Sequence, residues 1–188
     1  MIKIAILASG SGSNAQRIIE YFSANKNICF PFIIYNKENA FVKERAKKLG
    51  IKSIYMSKNE IVHSDALLNI LKEYQIDWVI LAGFLLLIPS EIIHTFKSRI
   101  INIHPALLPK YGGKGMYGIK VHEVVIANKE KESGITIHYV NEKYDEGNII
   151  FQAKCTIEEN DTPDILANKI HLLEHKYFPK VIEELITL

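Results

Sequence analysis

The chain has 188 residues, 48% of them hydrophobic and 23% charged, the composition of a folded domain with a sizeable core and not of a disordered chain. Its 23 Lys and Arg against 21 Asp and Glu leave a net charge of +2 without the basic block that polynucleotide binding shows, so nucleic acid is not an expected partner. The longest apolar stretches, such as Trp78 to Pro89, reach roughly half of the ~20 residues that a bilayer-crossing helix needs, and no membrane span is expected.

The opening "MIKIAIL" passes straight into a strand-like run with no signal-peptide pattern, which predicts a cytoplasmic location. Runs rich in Ile and Val recur at about 2–8, 28–35, 52–56, 77–82 and 99–103, and stretches with helical spacing separate the first four. This reads as β-α-β-α-β-α-β. Because the runs are continuous and not alternating, the strands are expected to be parallel, with helices on both faces. Residues 105–117, "PALLPKYGGKGMY", are too rich in Gly and Pro for regular structure and predict a long loop over a site. A helix near 118–128 follows, then strands near 134–140 and 148–157, then a closing helix from about 163, with Asp161 or Thr162 as cap, Pro163 in the first turn and Asp164 beside the positive helix end. Cys29 and Cys155 fall in strand-like runs, where buried, unpaired thiols are expected. The elements predict one α/β domain over 1–188. Its open twisted sheet is Rossmann-like and parallel in the half 1–100, and mixed in the half 101–188.

Three stretches carry chemistry. In "ILASGSGSNAQRII" (6–19), Gly10, Gly12 and Ala15 form G-x-G-x-x-A between a strand and a helix starting near Ser13, a loop suited to an anion at the helix N-terminus. A dinucleotide site also needs an acid near the end of the second strand, where Asn36 stands, with Glu38 two residues further on as the arguable alternative. Together with Ser9, Ser11, Ser13 and Asn14, this favours a phosphomonoester. The bland alternative is that the glycines only let strand turn into helix.

"HLLEH" (171–175) matches the metal-peptidase pattern H-x-x-E-H, yet no third ligand follows from spacing and no metal is expected. With Leu166, Ile170, Leu173 and Tyr177 as the buried stripe, His171, Glu174 and His175 are expected on its flank. In "RIINIHPALLPKY" (99–111), Asn102 and His104 share one side of a strand that Pro105 ends, at the carboxyl edge where open α/β sheets place ligands. An amide and an imidazole so placed can flank one reacting carbonyl, which points to acyl-type transfer; the alternative is a capping Asn and a structural His. Asp145, in "YDEGN", sits in a turn that Gly147 permits, as a third polar element or a solvated turn aspartate.

On "ILASGSGSN", "VILAGFL", "NIHPALLPKY", "YDEGNIIFQ" and "LEHKYFP", the chain resembles the folate-dependent formyltransferases, and within them the branch acting in purine biosynthesis. The resemblance implies formyl transfer from 10-formyltetrahydrofolate to the amine of glycinamide ribonucleotide, both small-molecule partners, with no metal or prosthetic group. It implies Asn102, His104 and Asp145 as catalytic residues, and Gly12, Ser13, Asn14 and Glu174 as substrate-binding residues. Leu85, Leu86, Leu87, Ile88, Asn102, Tyr139, Val140 and Asp145 would be folate-binding. Leu85 and Leu86 stand where many members carry Met and Arg, and "GGKGMYG" replaces a P-G-x-H form. The implied mechanism has Asp145 holding His104 in its charged form. The alternatives are a sibling formyltransferase or formyltetrahydrofolate hydrolase, whose additional domains a chain of this length is expected to lack, and a non-catalytic nucleotide-binding module.

Overall fold

The computed structural model describes residues 1–62 and 64–187. Two compact units make up the chain, Met1–Asn102 and Ile103–Leu188.

The first unit is built around β1 (Ile2–Ala8), whose residues from Ile4 onward are shielded from solvent. Parallel neighbours extend it in the order β4-β3-β1-β5-β6, and β2 also pairs with β1; β2 is Ile28–Cys29, β3 Phe32–Tyr35, β4 Lys52–Tyr55, β5 Trp78–Leu81 and β6 Ile100–His104. Helices α1 (Ser13–Tyr21), α2 (Val42–Lys48), α3 (Lys58–Val62) and α4 (Ser64–Glu73) fill the crossovers, as the apolar periodicity requires. Two details depart from the sequence reading. The single strand expected over 28–35 is divided at Pro31, which has no N–H to give to a ladder. A short helix, α5 (Ser90–Thr95), follows the apolar run after β5; its six residues are too few to show a period.

The second unit opens at the end of β6. Residues 105–118 hold no helix or strand, as the Gly and Pro content predicts. Next come α6 (Ile119–Ala127) and the antiparallel pair β7 (Glu132–Tyr139) and β8 (Ile149–Thr156), so parallel strands precede an antiparallel hairpin in the mixed α/β arrangement expected. The closing helix α7 (Pro163–Ile186) starts where predicted. Thr162 caps it by accepting the Ile165 N–H, Pro163 occupies the first position, and Asp164 lies in the first turn. Its buried stripe is Leu166, Ile170, Glu174, Phe178 and Ile182. Glu174 is therefore in the stripe and not on its flank, while Leu173 and Tyr177 are only half-buried. Cys29 and Cys155 are both unpaired, but half-buried and not buried. Among the described residues, no helix is long and apolar enough to cross a membrane.

Candidate active site

In the first unit, the loop after β1 is fastened from two sides. Ser9 is buried; its N–H donates to the Gly83 carbonyl and its Oγ accepts the Leu85 N–H, each at 2.9 Å, so this loop and the turn after β5 are held together. From α2, the Val42 N–H donates to the Gly10 carbonyl at 3.1 Å and Arg45 Nε to the Ser11 carbonyl at 2.8 Å, while the guanidinium also bonds the Gln16 side chain. Arg45 has no sequence signal near the glycine loop, because the fold alone brings it there. Gly12 sits at φ 74° as the residue before α1, and a Cβ on it would stand 2.6 Å from Val42 Cβ. Only glycine meets both conditions. Helix α1 begins with no side-chain cap bond and no acidic residue in its first turn, so its first N–H groups and positive dipole end suit an anion. Ser13 is half-buried and Asn14 buried in that first turn. Beyond β5, Leu85 and Leu86 are half-buried and Leu87 is exposed, whereas the Ile88 side chain is only 2% exposed. Asn36 follows β3 directly, so an amide and not a carboxylate stands at that strand end.

Strand β6 carries Asn102 and His104 two residues apart, hence on the same side, with Asn102 half-buried and His104 4% exposed. In the second unit His104 faces two acceptors. Its Nε2 lies 2.7 Å from the Tyr111 carbonyl, which can only accept, so Nε2 carries a proton. Its Nδ1 lies 3.5 Å from Asp145 Oδ2. That oxygen also accepts the Gly113 N–H at 2.9 Å, and Asp145 Oδ1 is 3.7 Å from His138 Nε2. Asp145 takes the left-handed backbone, φ 59°, which Asp tolerates in turns. Burial is the largest influence on its carboxyl and pushes its pKa up. The His138 ring, the charge of His104 and the Gly113 N–H together outweigh it and hold Asp145 below the usual carboxylate range.

For His104 the balance runs the other way. Burial dominates and lowers its pKa, and the raising effects of Asp145 and the Tyr111 carbonyl do not compensate. Asp145 thus favours the charged form of His104, as expected, while burial opposes it.

The loop 105–118 is anchored at its base. Buried Thr136 on β7 donates through Oγ1 to the Ala106 carbonyl at 2.7 Å and accepts the Leu108 N–H at 3.0 Å; Gln152 on β8 donates to the same Oγ1 at 2.8 Å and to the Leu108 carbonyl at 3.0 Å. Farther along, the Tyr111 hydroxyl donates to Glu130 at 2.7 Å, so both the ring and the carbonyl of Tyr111 are held. Thr136→Val keeps the shape but leaves the buried Ala106 carbonyl and Leu108 N–H without this partner. It should destabilise the fold by about 1–3 kcal/mol. Urea unfolding checks this as a lowered midpoint with unchanged slope.

On α7, Glu174 is buried, His171 is exposed, and the His171 and His175 rings lie 6.3 Å apart and nearly parallel. Among the described residues no group of three or more His, Cys, Asp or Glu could hold a metal ion. His122 on α6 is buried, and its Nδ1 has no hydrogen-bond partner among the described residues. Burial first, then the charges of His171 and His104, lower its pKa to about 4, so it is neutral at physiological pH. Tyr139 and Val140 are half-buried where β7 ends.

Residues 2–182 match the formyl transferase family. The chain is 42% identical over 186 residues to the protein named "Phosphoribosylglycinamide formyltransferase, chloroplastic" of Arabidopsis thaliana, covering 96% of this chain but only 64% of the plant protein, less than two thirds of its length. It is 35% identical to the phosphoribosylglycinamide formyltransferase of Bacillus subtilis, over 100% of this chain and 96% of that one. The crystal structure of phosphoribosylglycinamide formyltransferase from Streptococcus pneumoniae superimposes with a TM-score of 0.87 at 33% identity, covering 99% of both chains. Its strands, its opening loop and its carboxyl-edge histidine thus lie in a chain matched along nearly its whole length in both sequence and fold, and the protein belongs to the formyl transferase family.

Proposed function

We propose that this protein transfers the formyl group of 10-formyltetrahydrofolate to the amine of glycinamide ribonucleotide. The observation that carries this reading is a buried His104 facing the Asp145 carboxylate at the carboxyl end of β6, two residues beyond an amide on the same side of the strand. Moving an acyl group onto an amine makes three demands: a donor for the oxygen that becomes negative, a base for the amine proton, and a charge to steady the protonated base. Asn102 supplies the donor through its side-chain N–H. His104 is the base. The Tyr111 carbonyl keeps its proton on Nε2, so Nδ1 gains the new proton and the resulting imidazolium faces Asp145 Oδ2.

The amine nitrogen bonds to the formyl carbon and an electron pair moves onto the formyl oxygen. The amine proton passes to His104, directly or through a water held by Asp145. Its delivery to the folate nitrogen accompanies cleavage of the old carbon–nitrogen bond, leaving tetrahydrofolate and the formylated ribonucleotide.

In the first unit, Gly12, Ser13 and Asn14 are assigned the ribonucleotide phosphate, and Leu85, Leu86, Leu87 and Ile88 the folate. In the second, Tyr139 and Val140 are assigned the folate and Glu174 the ribose hydroxyls. No metal has a role in this reading, and the cytoplasm is its setting. Calorimetry with glycinamide ribonucleotide and with a non-reactive folate analogue tests it: the enzyme binds each. Binding of the ribonucleotide alone would mark a nucleotide-binding module, and binding of the folate alone a sibling acting on another acceptor.

The reading also fixes a pH dependence. Because burial lowers the His104 pKa while Asp145 raises it, His104 should titrate below the ordinary imidazole value, and lower still once Asp145 loses its charge. The proton-accepting form then persists at neutral pH and is lost only on the acid side. Imidazole NMR titration of wild type and Asp145→Asn checks both statements; a His104 midpoint that rises in the variant would contradict them.

A further inference from the structure

Asp145 lies in the stretch 140–148, which holds neither helix nor strand, so the local backbone does not by itself fix the plane of its carboxylate. The two oxygens nevertheless have separate duties. Oδ2 receives the Gly113 N–H at 2.9 Å and faces His104 Nδ1 at 3.5 Å, and Oδ1 faces His138 Nε2 at 3.7 Å. We propose that His138 is a positioning residue that sets the rotation of the Asp145 carboxylate and so keeps Oδ2 against the catalytic His104. This role rests on the formyl-transfer reading above.

Three observations support it. His138 is 2% exposed, and its ring is clamped at the far side, Nδ1 donating to the Tyr139 carbonyl at 2.8 Å, so its Nε2 edge is aimed and not free to swing. The pairing of β7 with β8 shifts register between Ile137 and His138, the kind of bulge that re-aims a side chain beside a functional site. Finally, Gly147 allows the Asp145 turn to close onto this clamp: a Cβ there would lie 2.7 Å from the Tyr139 carbonyl carbon and 3.4 Å from His138 Nδ1. A histidine at the irregular end of a strand pairing is thus held from behind and pointed at the carboxylate. A one-ångström loss of alignment in such a pair costs rate more than binding.

The test is steady-state formyl transfer by wild type and variants, with circular dichroism to confirm folding. His138→Ala should lower kcat roughly ten- to a hundredfold with KM for both substrates changed less than about threefold. His138→Phe fills the ring's volume without a donor and carries the same expectation should the alanine variant unfold. His138→Gln, whose amide can still donate toward Oδ1, should recover kcat to within about threefold of wild type. In an Asp145→Asn background the alanine or phenylalanine change should add little, because the group it positions has been removed. An active wild type alongside a folded His138→Phe protein with unchanged kcat would overturn this role and leave the proposed function standing, as would a loss of equal size with and without Asp145. A wild type that transfers no formyl group would overturn the proposed function, and this role with it.

Discussion

Asp145→Asn and His104→Ala are each expected to lower kcat for formyl transfer by on the order of 10²–10³-fold, with ligand affinities changed only a few fold. The reason lies in the resting geometry. The His104 Nε2–H is committed to the Tyr111 carbonyl, and its Nδ1 stands 3.5 Å from Asp145 Oδ2. Alanine at 104 removes the base outright. Asparagine at 145 is nearly isosteric, yet it withdraws the charge that steadies the imidazolium, and its amide can donate to Nδ1 and block the nitrogen that must gain the proton. The two groups act as one unit, so the double variant should be little worse than the worse single one. Asn102→Ala should show a loss of the same order through the oxyanion. Any of the three, folded by circular dichroism yet keeping more than about a third of wild-type kcat, would contradict these roles, since that loss is under about 1 kcal/mol of barrier.

The second large effect is expected at Gly12. Valine there needs a positive φ that β-branched residues avoid, and its Cβ would fall 2.6 Å from Val42 Cβ, whose own N–H holds the Gly10 carbonyl. Relief requires moving either α2 or the start of α1, and with it the N–H groups assigned to phosphate. If two charge-assisted bonds of about 1.5–3 kcal/mol each are lost, ribonucleotide affinity falls on the order of a hundredfold or more, while folate affinity stays near wild type. Gly10→Ala is the control, because a Cβ at Gly10 meets nothing within 4 Å. Calorimetric titration of each variant with each ligand reads the difference. Equal losses for Gly10→Ala and Gly12→Val would mean that the loop does not act as described.

The parts of this fold that were legible in the sequence are those set by local chemistry. Gly12 announces a tight strand-to-helix turn, Pro163 after Thr162 announces a helix start, and continuous Ile and Val runs announce buried parallel strands. Alternation along residues 100–104 puts Asn102 and His104 on one side without any knowledge of tertiary structure. What could not be read depends on partners distant in the chain. His138 in "ITIHYV" looks like an ordinary strand residue, and only the turn of Asp145 onto it gives it a neighbour. Arg45 has no link to the glycine loop until α2 packs beside it. Glu174 was expected on a flank because a carboxylate inside an apolar stripe runs against hydrophobic patterning, and only the structure shows it buried there. That burial is the largest influence on His104 was not legible, because spacing reveals a nearby carboxylate but not the depth of burial.

The most direct test of formyl transfer is a single-turnover reaction of the purified protein with glycinamide ribonucleotide and folate carrying a ¹³C-labelled formyl group, followed by mass spectrometry. The account predicts that the label appears on the ribonucleotide amine in a one-to-one ratio with the tetrahydrofolate released, and that Asp145→Asn slows its appearance on the order of 10²-fold or more. Label recovered as free formate with the ribonucleotide unmodified, or label that stays on the folate, would contradict it.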